Sequence, residues 1–434
     1  MEKIYGKSAA PNHEEFFSSP RGTRVCQSFV GRFFQMVWLP VAALLATSCE
    51  SLTSRQITNP APAVARLRAG GSLRREADKL AQPLIDSGEI VGMAVGVLTP
   101  DGKTHTYGYG RTGIPGRTGP PDGDTIFQIG SVSKLFLTAV LAQLVNEGEL
   151  DYHDTLKEIL PPNTPLGEGI GDITLLELAT NTSGFPRQPV CWKQFRDLLA
   201  YVSSGKNIYA YIDRDYLFRY LRTTRLNRER KGNYVYSNIG YGLLAHLIEI
   251  KTGRKLPDLL EEKICRPLGL HDTTFVLNAE QTKRLAVGHA GQGPRFKPRG
   301  SPVKPWDMGE IMKATGAMYS TVNDLMKFTK TSLGMQGQAL ASVLISTQQP
   351  QLSFRSEEIA LGWLINYPGN LGPRITYKQG VVGGSSSYIG MDTEQRCATI
   401  VLYNTFMWED KVGQDLLMRL SLSFHHNKRK TPVE

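Results

Sequence analysis

The segment Leu135 to Leu144, LFLTAVLAQL, constrains this chain more than any other. It carries apolar side chains on nearly every face of a helix, so it must be surrounded by protein rather than laid on a surface. Only a chain with enough material to wrap a helix completely can do this, and 434 residues suffice for one large domain or two intertwined ones. With 41% hydrophobic and 21% charged residues the composition is that of a globular protein, neither disordered nor membrane-spanning.

Around that helix the pattern changes twice. Before it, a helix from about Arg74 towards Ser87 leads into the small and β-branched run Val91 to Leu98. Thr99-Pro100-Asp101-Gly102 then supplies a turn, and Thr104 to Tyr109 returns as a second strand. After it the chain is mostly helical. Ile239 to Ile250 is a second strongly apolar helix stopped at Gly253, and Ser320 to Leu325 reads as a helix start. Strands return at Ala360–Ile365, Ile375–Lys378, Ser386–Met391 and Ala398–Leu402, followed by a helix from Val412 to Phe424. The expected fold is α+β: an antiparallel sheet built by both ends of the chain, flanked by N- and C-terminal helices, with a helical domain inserted. The expected division is a sheet part over 74–130 and 335–424, a helical part over 131–334, and a basic tail over 425–434.

Ser131 and Lys134 open the buried helix. Residues three apart lie on one helix face, so the Lys134 amine can reach the Ser131 hydroxyl. A serine needs such a neighbour to become a nucleophile. The helix N-terminus favours negative charge there and offers free N–H groups to an oxyanion. Ser-x-x-Lys alone is a weak signal, because Ser203-Ser204-Gly205-Lys206 also matches; that copy sits in a polar, glycine-broken stretch and reads as a loop. Tyr236-Ser237-Asn238 precedes the second apolar helix and offers a phenol for proton transfer and an amide for a substrate amide. Read alone, its plain alternative is a capping Asn behind a packed tyrosine. Lys378-Gln379-Gly380 ends a strand before Val381-Val382-Gly383-Gly384. Lys378 can tune the site, Gly380 lets a substrate lie along the strand edge, and the plain alternative is a basic residue before a turn.

Taken in order, the three elements resemble the serine β-lactamase and penicillin-binding-protein superfamily, whose signature is Ser-x-x-Lys, Tyr-x-Asn or Ser-x-Asn, then Lys-Thr-Gly. The tyrosine in the second element is similar to the class C type. Leu175 to Pro186, Arg266 to Thr273, Tyr319 to Leu325 and Leu361-Gly362-Trp363 resemble stretches of class C-type esterases and DD-peptidases, so the likeness runs from about residue 75 to 405. The resemblance implies Ser131 as nucleophile, Lys134 as base or its partner, and Tyr236 as the group that protonates the leaving nitrogen and activates water. It places Asn238, Lys378, Gln379 and Gly380 on the substrate and the backbone N–H groups of Ser131 and Val381 in the oxyanion hole. No cofactor is implied. Substrates would be peptidoglycan-derived peptides, β-lactams or small esters and amides. A D-Ala-D-Ala carboxypeptidase or endopeptidase is the leading expectation, with a class C-type β-lactamase, a carboxylesterase and a non-catalytic penicillin-binding or scaffolding protein as alternatives. Two departures stand out. Gln379 replaces threonine, which puts carboxylate recognition in question, and Asn181 sits where many relatives have histidine.

Other classes fit poorly. No Gly-x-Ser-x-Gly, P-loop or dinucleotide fingerprint occurs, and the eight histidines lack metal-ligand spacing. A net charge of +10 could favour anionic surfaces, but no basic stripe interleaved with aromatics points to nucleic acid. Arg24 and Arg32 precede the apolar run Phe33 to Leu45, which ends in Ala46-Thr47-Ser48-Cys49; this reads as an export signal over 1–48. Small residues before Cys49 resemble a lipoprotein processing site, which implies a lipid attached at Cys49, a membrane-anchored periplasmic protein and a tether over 49–73. Met36 remains open as an alternative start. Of the five cysteines, Cys191, Cys265 and Cys397 would lie in the mature domain, either with one disulfide or as free thiols.

Overall fold

The structure, a computed structural model, describes residues 60–188, 209, 211–226, 231–293, 297–368 and 372–425. The leader with Cys26 and Cys49, Cys191, the Ser203–Lys206 stretch and residues 426–434 lie outside the described residues.

Eight strands form one sheet: β1 (Gly92–Leu98), β2 (Thr104–Gly110), and β7 to β12 (Leu352–Phe354, Glu357–Ile359, Leu364–Asn366, Ile375–Val382, Ser385–Asp392, Cys397–Tyr403). Their order is β2-β1-β12-β11-β10-β9-β8-β7, and every neighbouring pair is antiparallel. The N-terminal hairpin is joined to the C-terminal meander through β1 and β12, with Val95 opposite Val401. The sheet-forming ends of the chain therefore meet, as the sequence predicts. Two small ribbons lie apart from the sheet: β3 (Phe127–Gln128) with β6 (Tyr319–Ser320), and β4 (Gly288–His289) with β5 (Pro302–Val303).

Both faces of the sheet are covered. On one lie α1 (Ala61–Arg68), α2 (Leu73–Asp86) and the C-terminal α7 (Gly413–Phe424). α5 (Val322–Ser332) packs on β1 and β12, and Gly96 permits the approach: a Cβ there would stand 2.5 Å from the Val322 side chain. α3 (Ser133–Asn146) is buried along almost its whole length, as its apolar pattern demands. Its Phe136 ring lies 4.6 Å from Phe328 of α5, which stacks in turn on Trp363 at 6.5 Å. Large side chains buried this way contribute about 2 kcal/mol each. α4 (Asn238–Thr252) begins with the Ser237 hydroxyl accepting from Gly240 N and ends at Gly253 in the left-handed region.

Two expectations need correction. The tether does not extend over the whole of 49–73: residues 61–68 are helical, with Ala63 and Val64 buried against α7 and the Arg68 guanidinium donating to the carbonyls of Leu422 and Ser423. Pro60 and Pro62 start that helix rather than hold the chain open, since proline is tolerated in a first turn. The strand expected over Ala360–Ile365 is interrupted, because Gly362 adopts φ 78° and turns the chain between β8 and β9. The sheet part over 335–424 also carries α6 (Gln338–Ser346) before its first strand. Cys265 and Cys397 are buried free thiols, and burial pushes both up.

Candidate active site

Ser131 lies two residues before α3, in a single 3-10 turn, Gly130–Val132, rather than in the α-helix itself. Gly130 has φ 53°, which suits glycine, and the Ser133 hydroxyl locks the turn by donating to Gly130 O at 2.7 Å. The turn directs the Ser131 hydroxyl between two groups. Lys134 Nζ approaches Oγ at 3.2 Å and Tyr236 Oη approaches it at 2.6 Å. The two nearest motif elements of the sequence therefore converge on one oxygen.

Lys134 is fully buried. Its Nζ donates to Asn238 Oδ1 at 2.9 Å and to the Thr315 carbonyl at 2.6 Å, in addition to its contact with Ser131. Three oxygen partners match the three N–H bonds of an ammonium. Asn238 donates from Nδ2 to Tyr209 Oη at 2.8 Å, so the amide is held at both ends. Burial pushes the Tyr209 phenol up, while the charge of Arg187 and the bond from Asn238 pull it down.

Lys378, on β10, is buried as well, and its Nζ lies 5.2 Å from the centroid of the Tyr236 ring. Lys134 Nζ stands 5.0 Å from the same ring. These cations favour negative charge developing on the phenol oxygen. Gly380 and Gly130 bring the remaining element into place. A Cβ on Gly380 would lie 2.1 Å from Ile129 O and 2.8 Å from Ser131 N; one on Gly130 would lie 2.6 Å from Val381 N. Only glycines let β10 and the serine turn come this close. The approach brings the backbone nitrogens of Ser131 and Val381 up against this glycine pair.

Gln379 is placed differently. Neighbouring strand residues point to opposite faces, so it turns away from Lys378. It lines a pocket with Val381, Ser386, Trp408 and Glu409, and its Nε2 is enclosed without a protein acceptor.

Sequence reasoning missed four contributors. Thr315 and Tyr209 complete the partners of Lys134 and Asn238. Asn181, at φ 60°, accepts from Ser237 N through Oδ1 at 2.9 Å and from Val235 N through its carbonyl at 2.8 Å, gripping the chain on both sides of Tyr236. Arg187 places its guanidinium carbon 5.3 Å from the Tyr236 ring. Only Asn181 carried a signal, as a departure at a familiar position. Among the described residues no three His, Cys, Asp or Glu side chains are grouped to hold a metal ion.

A buried lysine and a tyrosine meeting on one serine oxygen is the equipment of a serine hydrolase. The family model for β-lactamase matches residues 77–422, and the chain belongs to that family of serine hydrolases. It is 27% identical over 342 residues to the D-alanyl-D-alanine-carboxypeptidase/endopeptidase AmpH of Escherichia coli K12, which spans 75% of this chain and 82% of that protein. Among solved structures, a class C β-lactamase matches with TM-score 0.68 at 20% identity, covering 82% of this chain and 97% of its own. The D-alanine carboxypeptidase AmpC from Burkholderia cenocepacia matches with TM-score 0.65 at 24% identity, covering 80% and 98%. These structural likenesses establish the fold.

Proposed function

We propose that this chain is a D-Ala-D-Ala carboxypeptidase or endopeptidase that forms an acyl-enzyme at Ser131 on cell-wall peptides. The observation that carries the reading is the Ser131 hydroxyl held at 2.6 Å by Tyr236 and 3.2 Å by Lys134. With Lys134 as the ammonium its partners suit, Tyr236, having first lost its own proton to solvent, takes the serine proton as the phenolate. Oγ bonds to the substrate carbonyl carbon, and the resulting oxyanion is met by the N–H groups of Ser131 and Val381. The carbon–nitrogen bond then breaks as Tyr236 returns the proton to the leaving amine. Water repeats the sequence through Tyr236 and frees the serine. Asn238 orients the acyl portion, and Lys378 with Gly380 lines the strand edge along which the substrate lies. Similarity to AmpH over most of both chains supports the peptide substrate.

A fluorescent penicillin or fluorophosphonate should label the protein. Ser131→Ala should abolish the label and Ser203→Ala should leave it; equal labelling of both variants refutes the assignment. Turnover then decides the substrate: release of D-Ala from a pentapeptide supports the proposal. Rapid nitrocefin hydrolysis without peptide cleavage assigns a β-lactamase instead, and cleavage of p-nitrophenyl esters alone assigns an esterase. Export and a lipid at Cys49 belong to the same proposal; among the described residues no helix is long and apolar enough to cross a membrane.

A further inference from the structure

Tyr236 is approached by charge from three directions, and one of the three belongs to no motif. Lys134 comes from α3, Lys378 from β10, and Arg187 from the turn that follows Asn181-Thr182-Ser183-Gly184. α4 adds Tyr241, whose hydroxyl donates to Ala179 O and whose phenol burial pushes well up. Arg187 is held by the backbone of the segment that carries Tyr236. Asn238 N donates to Arg187 O at 2.9 Å, and the Ser237 hydroxyl donates to Pro186 O at 2.8 Å. Pro186-Arg187 and Tyr236-Ser237-Asn238 therefore form one hydrogen-bonded unit, and the guanidinium, which also bonds to Tyr209, stands over the ring. The same cation acts on Tyr209, which holds the Asn238 amide that meets Lys134.

We propose that Arg187 is a positioning residue for proton transfer: its cation, over the face of Tyr236, stabilises the negative charge on Oη when the phenol is deprotonated. The inference rests on the reading of Tyr236 as proton carrier. A cation attracts a neutral ring weakly and a phenolate much more strongly. The charge of Arg187 therefore acts on the ionised state and lowers the pH at which Tyr236 can accept the Ser131 proton. A lysine at 187 retains the charge, whereas methionine retains most of the volume and none of the charge.

The test is the second-order rate of Ser131 acylation by a fluorescent penicillin, followed from pH 5 to pH 10 in the full-length protein. Arg187→Met should move the acid limb up by about one pH unit, a roughly tenfold loss below the limb that fades above it. Arg187→Lys should recover most of the shift. In a Tyr236→Phe background, Arg187→Met should add little. An acid limb that stays in place in Arg187→Met overturns the inference, and so does a loss equal at every pH. A weaker affinity for the penicillin with an unmoved limb also overturns it, and marks Arg187 as a substrate contact instead. Tyr236→Phe acylated as fast as the parent overturns the proton-carrier reading, and the role of Arg187 falls with it. An unmoved limb in Arg187→Met beside a defective Tyr236→Phe removes only the role of Arg187.

Discussion

Gly380→Ala tests whether the contact between β10 and the serine turn is what assembles the oxyanion crevice. The added Cβ would lie 2.1 Å from Ile129 O, 2.5 Å from Ser387 Oγ and 2.8 Å from Ser131 N. A carbon needs well over 3 Å from each, so strand and turn must separate by about 1 Å. Two of the three obstacles are backbone atoms that cannot rotate aside. The third, Ser387 Oγ, is engaged in donating to Ile129 O at 2.7 Å, a bond that would also be lost. Misplacing reacting groups by about 1 Å can cost roughly 100-fold in rate, and losing one oxyanion donor costs about 100- to 1000-fold. The expected result is therefore an acylation rate about 100-fold lower, with overpacking costing about 1–3 kcal/mol of stability. The assay is time-resolved labelling by a fluorescent penicillin or fluorophosphonate, with thermal unfolding measured on the same samples. Gly119→Ala is the control, since a Cβ there meets nothing within 4 Å. Labelling of folded Gly380→Ala within threefold of the parent rate would refute the reasoning, because the crevice would then tolerate the separation.

Two further outcomes can be checked. Buried Glu76 accepts from Arg66 at 2.7 Å, Lys79 at 3.1 Å and Arg419 at 3.2 Å, tying α1, α2 and α7 together. The Arg66 bond and, more weakly, Lys79 hold its carboxyl down at about 2 against the opposing effect of burial. Because the folded carboxyl is the stronger acid, its contribution is complete above the unfolded value near 4.3 and is lost as pH falls towards 2. Glu76→Gln should therefore cost about 2 kcal/mol at pH 7 and much less near pH 2, read from denaturant or thermal unfolding; equal stability of both proteins at pH 7 refutes the clamp. Nearer the N-terminus, mass spectrometry of the mature protein should find Cys49 acylated, and Cys49→Ser should release the protein into the soluble fraction. An unmodified N-terminus elsewhere refutes the anchor.

The sequence carried the sheet's two halves because alternation and turn residues are local signals, and it carried α3 because an all-round apolar helix has one place to go. It did not carry the break at Gly362, where a left-handed turn interrupts a run that reads as continuous strand. Nor did it carry α1, whose prolines look like a linker until α7 is there to receive Ala63 and Val64. Ser131, Lys134 and Tyr236 were legible because their motifs sit at helix starts whose apolar faces are distinctive. The supporting shell was not. Thr315 contributes only a carbonyl, which any residue has, and Tyr209 is far in sequence from the Asn238 it holds. Asn181 was visible only as an oddity: a side chain that tolerates φ 60° and also accepts from Ser237 N does two jobs that spacing cannot express.

Adjacent residues of one motif have parted company in this fold, and that separates chemistry from selectivity. Lys378 and Gly380 face Tyr236 and the serine turn, where the proposed mechanism uses the cation for proton transfer and the close backbone approach for the oxyanion. The Gln379 side chain lies between them in sequence but turns to the opposite face, beside Trp408 and Glu409 in a pocket that the Gly380 backbone also lines. A change at 379 can therefore alter what is held beside the crevice and leave the array around Ser131 intact. The departure from threonine at this position is therefore expected to change which acyl compound is accepted more than the rate at which Ser131 is acylated. For the same reason, reaction with a small fluorophosphonate and turnover of a D-Ala peptide report on different parts of the molecule. Substitution of Gln379 should change their ratio, whereas substitution of Lys378 should depress both.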